Sequence, residues 1–268
     1  MRRLAVIAFA ATIGSVVAAQ GPAPGTARAI SPIDLTGNWV SIVTEDWRFR
    51  MVTPPKGDYA SVPLNGAARA VADKWDPAAD EAAGNACKSY GAGNIMRVPG
   101  RLHISWQDDT TLKIETDAGQ QTRVLHFTGT PSGDPSWQGY SQASWELAGI
   151  TPGGAGFGGR GGGGGGAGAG GRGGAAGGPP PPPRGGSLKV VTTRLKEGYL
   201  RKNGVPYSEN AVVTEYFDRH TESNGDDWFT VTTIVDDPKY LAQTFITSTH
   251  FKKEATASKW YPGPCRAK

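Results

Sequence analysis

Cysteine, histidine and long apolar runs are all scarce in this chain. Only two of its 268 residues are Cys and four are His. No Cys and His residues follow the spacing of a zinc site, so we expect no metal and no cofactor. After residue 19 no apolar stretch is long enough to span a bilayer, and no integral membrane segment is expected beyond that point.

The excess of positive over negative charge is also small once the first residues are set aside. Arg2 and Arg3 precede an apolar run that ends in small residues, a pattern typical of a secretory signal peptide over residues 1–19, cleaved before Gln20. The alternative, an uncleaved membrane anchor, is disfavoured because the run is short. Removing the signal lowers the net charge from +4 to about +2, which gives no electrostatic reason to bind nucleic acid. The sequence therefore predicts a secreted or periplasmic protein.

Established catalytic motifs are missing as well. The chain has no Gly-x-Ser-x-Gly elbow, no His-Glu-x-x-His, no phosphate loop and no full dinucleotide fingerprint. We therefore expect no catalytic residues and favour a function other than catalysis. An enzyme with a barrel cavity stays an alternative, with His103, His220, Glu215 or Tyr216 as acid or base.

The two cysteines, Cys87 and Cys265, leave no third partner in an exported chain. An oxidising compartment favours one disulfide between them. Such a bridge would attach the end of the chain to an early segment. Two buried free thiols are the alternative.

Alternating apolar and polar residues dominate what remains and predict nine or ten strands. Residues 34–148 and 188–268 carry these strands, after a flexible leader over 20–33. Helical spacing interrupts the alternation at 64–86, where Asn65 is suited to cap a helix. The fold class is therefore mostly β, a single antiparallel up-and-down barrel of about 8–10 strands with a short helical insertion after the first strand. A β-sandwich is the alternative.

Residues 149–187 separate the two groups of strands. Of the 26 residues from 153 to 178, 18 are glycine, and such a composition predicts a disordered loop. Neither group alone has enough strands to close a barrel, so we expect an insertion within one barrel. A linker between two domains is the alternative.

The first strand is expected to run from Asp34 to the prolines at 54–55. Its alternation would place Arg48 and Arg50 on one face, where two guanidinium groups could hold a carboxylate, sulfate or phosphate. Salt bridges on a solvent-exposed outer face are the other interpretation of these residues.

The pattern Gly37-x-Trp39 at the start of this strand resembles the opening signature of lipocalin-like (calycin-type) β-barrels. The resemblance implies a structural role for Gly37 and Trp39, a ligand cavity inside the barrel, and a basic residue packed on the tryptophan. Arg219 and Lys253 are both candidates for that basic residue. The run from Thr44 to Tyr59 also resembles uncharacterised exported bacterial proteins, which implies no activity.

These observations favour an exported barrel that binds a small apolar or amphipathic ligand with an anionic or polar group. Its partner would be a small-molecule ligand that it binds without converting. A surface or structural interaction protein, with the glycine-rich segment as contact element, is a further alternative. The expected ligand-binding residues, all on predicted strands, are Arg48, Arg50, His103, Tyr216 and His220.

Overall fold

The computed structural model describes residues 25–147 and 185–268. The expected signal peptide, the start of the leader and most of the glycine-rich segment lie outside these residues. Among the described residues, no helix combines the length and the apolar character needed to cross a membrane.

Eleven strands form the framework of the described chain, and alternating burial along them reflects one face turned to a core. They are β1 (Gly37–Ile42), β2 (Arg101–Asp108), β3 (Thr111–Thr116), β4 (Thr122–His126), β5 (Tyr140–Leu147), β6 (Gly186–Thr193), β7 (Gly198–Arg201), β8 (Val205–Tyr207), β9 (Val212–Thr221), β10 (Asp227–Asp236) and β11 (Phe245–Glu254).

Nine of these strands close a barrel in the order β1-β11-β10-β9-β6-β5-β4-β3-β2, with β2 bonded back to β1. This confirms the predicted mostly β, closed barrel. Strands from both sides of residues 148–184 share it. The remaining strands, β7 and β8, form a separate hairpin.

One neighbouring pair departs from the antiparallel pattern. β4 and β5 run parallel and are joined at only two positions, Leu125 with Ser141 and His126 with Gln142. Two consecutive parallel strands need a connection that returns along the barrel. Residues 127–139 make that return, so the barrel has mixed strand directions.

Short helices lie between β1 and β2, and the two longest fall within the predicted helical insertion at 64–86. They are α1 (Trp47–Arg50), α2 (Gly66–Ala72), α3 (Pro77–Ala82) and two 3₁₀ helices, Ala86–Tyr90 and Ile95–Arg97. The Asn65 side chain accepts a hydrogen bond from the Ala68 N–H and caps α2 as expected.

The helices and the β7–β8 hairpin cover one end of the barrel. A buried cluster joins α2 and this hairpin to the strand ends, through Ala68, Val205, Val213 and Phe245. We call this the closed end. Burial of this apolar cluster stabilises the cover by excluding water from the barrel on that side.

Trp39 lies at the centre of the barrel interior and is fully buried. Its indole N–H donates to the Leu35 carbonyl at 2.8 Å, and its ring meets Phe229 edge-on at 4.6 Å between centroids. The Lys253 ammonium lies 5.4 Å from the Trp39 ring. Gly37 has φ +116°, and a Cβ there would lie 3.3 Å from Lys253 Cε. Lys253, and not Arg219, is thus the basic residue on the tryptophan.

The expectation of one long first strand is wrong beyond residue 42. Asp46 has φ 48°, a left-handed conformation that ends extended structure, and α1 follows. β2 starts at Arg101, opposite Val40, so the chain after β1 has no strand beside it on that side. Arg48 is consequently exposed and paired with Asp58, whereas Arg50 is buried. The two arginines do not share a strand face.

The chain end returns to the helical region. Cys87, on the first 3₁₀ helix, and Cys265 have their sulfur atoms 1.94 Å apart, at disulfide distance, across 178 positions of sequence. The Gly263 N–H donates to the Asp117 carbonyl at 2.9 Å, and the Ala267 N–H donates to Glu81 Oε1 at 2.7 Å. The tail is therefore fixed by a covalent bond and by hydrogen bonds.

Reducing this bridge, or replacing both cysteines by serine, should lower the free energy of unfolding by about 2–5 kcal/mol, because a long loop in the unfolded chain is released. Urea unfolding of the mature protein, with and without a reductant, measures the difference. The Cys87→Ser/Cys265→Ser variant is the control and should not respond to the reductant. Equal stability of oxidised and reduced protein would contradict the prediction.

Candidate ligand-binding site

The end of the barrel opposite the helices forms the candidate site. The β2–β3 turn at residues 108–111 and the β9–β10 turn at 221–227 meet there, and β5 ends and β6 begins there. Residues 25–36 run across this end before β1. We call it the mouth.

An apolar pocket of about 780 Å³ opens at the mouth. Its walls include Ile30, Phe127, Ala143, Trp145 and Leu147. This volume falls within the range of about 300–1,000 Å³ that is usual for small-molecule sites. The mouth therefore has both the size and the chemistry to hold an apolar molecule.

Three aromatic side chains cluster beside this pocket, and Phe127 and Trp145 line it. The rings of Trp106, Phe127 and Trp145 pack with centroids 5.1–6.5 Å apart. Trp106 and Trp145 lie near the mouth ends of β2 and β5, and Phe127 directly follows β4. Alternation along these strands turns Ile104, Leu125 and Ala143 inward. Trp106 and Trp145 thus continue the inward-facing series of β2 and β5.

The segment before β1 forms one side of the pocket and is anchored at two places. The Trp145 indole N–H donates to the Ala27 carbonyl at 2.8 Å. The Arg28 N–H donates to the Asp109 carbonyl at 3.1 Å, and the Arg28 guanidinium lies 3.8 Å from the Asp109 carboxylate. Residues 25–28, within the expected leader, thus contribute to the pocket wall.

Below the mouth the barrel contains a buried ion pair, Arg123 with Glu215, each side chain 0 % exposed. The guanidinium donates two hydrogen bonds to the carboxylate, at 3.0 and 2.6 Å. Arg123 also donates to the Thr192 hydroxyl at 3.3 Å, and Thr192 bonds Ser141 at 2.8 Å. Bidentate charge-assisted bonds in a dry interior fix both side chains. The sequence did not lead us to expect a buried Arg123, although it lies two residues before the inward-facing Leu125 and so shares its face of β4.

The interior around this pair is filled by large side chains. Phe217, Phe229 and Phe251 are buried, with Phe229 stacked on Phe251 at 4.8 Å. Glu215, one of the acids considered for an enzyme, has its carboxylate held by Arg123. The mouth pocket is therefore shallow and ends above this packed interior.

The residues predicted on strands lie apart from the mouth pocket and from one another. His103, on β2, has Nδ1 2.9 Å from Asn38 Oδ1 and borders a surface pocket with Glu115 and Trp260. Tyr216, on the outer face of β9, lies 5.4 Å from the Lys189 ammonium. His220 is exposed beside Glu222.

Metal binding has no support in the described part of the chain. Within it, no three side chains of His, Cys, Asp or Glu come close enough to share an ion. His126 stacks on Tyr140 at 4.7 Å, and His250 Nδ1 lies 3.0 Å from the Thr230 hydroxyl. Each of these two histidines thus contacts a side chain on a neighbouring strand.

Comparison of the chain with known protein families, with curated proteins and with solved structures found no match.

Replacing one member of the buried pair should destabilise the barrel strongly. Arg123→Met and Glu215→Leu should each lower the free energy of unfolding by about 3–5 kcal/mol, because each leaves an uncompensated buried charge. The double variant should lose less than the sum of the two losses. Urea unfolding of the four proteins gives the coupling energy.

The control is Arg194→Met, which removes an exposed arginine side chain that donates to the Gly133 carbonyl. Its stability should change by less than about 0.5 kcal/mol. Additive effects of the Arg123 and Glu215 substitutions would show that the pair contributes no coupling.

Proposed function

We propose that the chain is an exported, lipocalin-like binding protein that holds a small apolar or amphipathic ligand at the barrel mouth and does not convert it. The mouth pocket carries this proposal. A closed barrel with a covered end and an open end is compatible with ligand binding. The Gly37-x-Trp39 pattern, with Lys253 packed on Trp39, resembles lipocalins and supports the same proposal.

The chemistry of the pocket defines the ligand. An apolar part would lie against Phe127 and Trp145, where burial of carbon surface supplies most of the affinity. Thr128 and Ser144 place hydroxyl groups on the pocket wall, where they can bond a polar end. A pocket of this size holds a molecule, or part of one, with a single ring system or a short acyl chain.

The export prediction fits this assignment. An extracytoplasmic binding protein has to remain folded without cytoplasmic chaperones, and the Cys87–Cys265 bridge supplies a covalent constraint suited to an oxidising compartment. The proposed role is to take up a poorly soluble small molecule outside the cytoplasm.

The packed interior favours a second candidate, a surface-interaction protein. A shallow pocket beside the points where residues 148–184 leave and rejoin the barrel would then be one part of a contact surface for another macromolecule. A binding assay with a small probe separates the two functions.

The test is a titration of the mature protein with the neutral fluorescent probe N-phenyl-1-naphthylamine. We expect saturable binding by the wild-type protein. Trp145→Ala should weaken it about 10- to 150-fold, since loss of a buried aromatic contact is worth about 1.5–3 kcal/mol. Ala143→Phe should abolish binding by filling the pocket while leaving Trp145 in place.

Trp228→Ala is the matched control, because Trp228 lies on the outer side of β10, opposite in direction to the inward Phe229. This variant should bind the probe like the wild type. Absence of saturable binding, or equal affinity in all four proteins, would refute the mouth as a small-molecule site and favour the interaction function.

A further inference from the structure

Three arginines converge at the closed end, far from the mouth pocket. Arg50 lies on α1, Arg97 on the second 3₁₀ helix and Arg201 at the end of β7. They are 8 %, 3 % and 2 % exposed. Buried guanidinium groups are costly unless they are paired, so the partners of each decide what this cluster can do.

Two of the three have carboxylate partners. Arg50 pairs with Glu45, and its Nε donates to the Arg97 carbonyl at 2.8 Å. Arg97 Nη2 donates to Asp46 Oδ2 at 2.9 Å. Arg97 Nη1 is buried and has no partner among the described residues.

Arg201 has no polar partner among the described residues. Its Nε, Nη1 and Nη2 are all buried without a hydrogen bond. The guanidinium lies over the Phe49 ring, with Cζ 4.0 Å from the centroid. Burial, and then the nearby charge of Arg97, lower the pKa of Arg201 to about 10. At neutral pH the group is still charged.

The carboxylates near Arg201, those of Asp46 and Asp58, are paired with other arginines. All 24 Asp and Glu residues fall within residues 25–147 and 185–268, and none falls in 1–24 or 148–184. The nearby Asp58 pairs with Arg48. No described carboxylate therefore bonds Arg201 directly, although the charges of Asp46 and Asp58 act on it.

A small cavity lies where an anion that bonds Arg201 would have to sit. It has a volume of about 20 Å³ and is lined by Phe49, Asn94, Arg97, Arg201 and Lys202. A space of this size holds about one water-sized group. It has room for one end of a small ligand and excludes a nucleotide or a sugar phosphate.

We propose that this arginine pocket binds the carboxylate group of a small organic acid, seated between Arg201 and Arg97. A planar guanidinium presents parallel N–H groups that match the two oxygens of a carboxylate. Lys202, whose ammonium donates to the Tyr90 hydroxyl at 3.0 Å, adds positive charge at the cavity. The site is separate from the mouth and independent of its ligand.

The test measures the melting temperature of the mature protein at pH 7 and constant ionic strength, with sodium fluoride as background salt. Acetate and propionate should raise the melting temperature by about 2–4 °C at saturating concentration, because a ligand bound only by the folded state stabilises it. Arg201→Met should lose this rise. It should also melt above the wild type in fluoride alone, since an unpaired buried charge has been removed.

Arg69→Met is the matched control, because Arg69 is an exposed arginine on α2 in the same covering region. It should keep the full response to acetate. Trp145→Ala should keep it too, which separates failure of this site from failure of the mouth. Chloride and sulfate serve as comparison anions, and a rise as large as that with acetate would overturn the carboxylate assignment.

If Arg201→Met does not fold, saturation-transfer NMR on the wild-type protein decides the question. Irradiation of aromatic protons, which include those of Phe49, should transfer saturation to the methyl group of propionate, and the signal should saturate with concentration. No transfer, or an equal thermal response in wild type and Arg201→Met, would overturn the proposal.

Discussion

The barrel depends on the first strand being bonded on both sides, with Trp39 at its centre. β1 pairs with β11 from Asn38 to Ile42 and with β2 from Gly37 to Val40. This short strand therefore joins the last strand of the chain to the early ones. The Trp39 indole, held by the Leu35 carbonyl and packed on Phe229, occupies the space behind that junction. Closure removes sheet edges that would otherwise present unpaired backbone groups.

The two ends of the barrel differ because the insertions fall unequally. The helices between β1 and β2 and the β7–β8 hairpin are all placed at one end, where the disulfide also holds the tail. The other end has turns and the segment before β1, which leave aromatic carbon exposed to a pocket. The apolar pocket at the mouth and the arginine cluster under the cover follow from this unequal distribution of the insertions.

Much of the architecture could be predicted from the sequence, because strand periodicity is a local property. Alternation located the barrel strands, and Asn65 marked a helix start. The chain around 46–50 could not be read in this way, since its turn is stabilised by partners distant in sequence, such as Arg97 and Arg201. Arg123 was overlooked because alternation shows which face a charge occupies but not that a partner 92 positions away will meet it. Of the predicted ligand-binding residues, His103, Tyr216 and His220 lie on the outside of the barrel, since alternation separates the two faces of a strand but does not show which one is turned inward.

The parallel junction of β4 and β5 is the most sparsely bonded part of the barrel wall. Other neighbouring strands are registered over four or more positions, whereas this junction has two. Phe127 directly follows β4 and Trp145 lies on β5, so this junction borders the mouth pocket. Regions with few backbone hydrogen bonds open at lower free energy than the rest of a protein. The wall is therefore expected to open more readily between β4 and β5, beside the pocket, than between the other strands of the barrel.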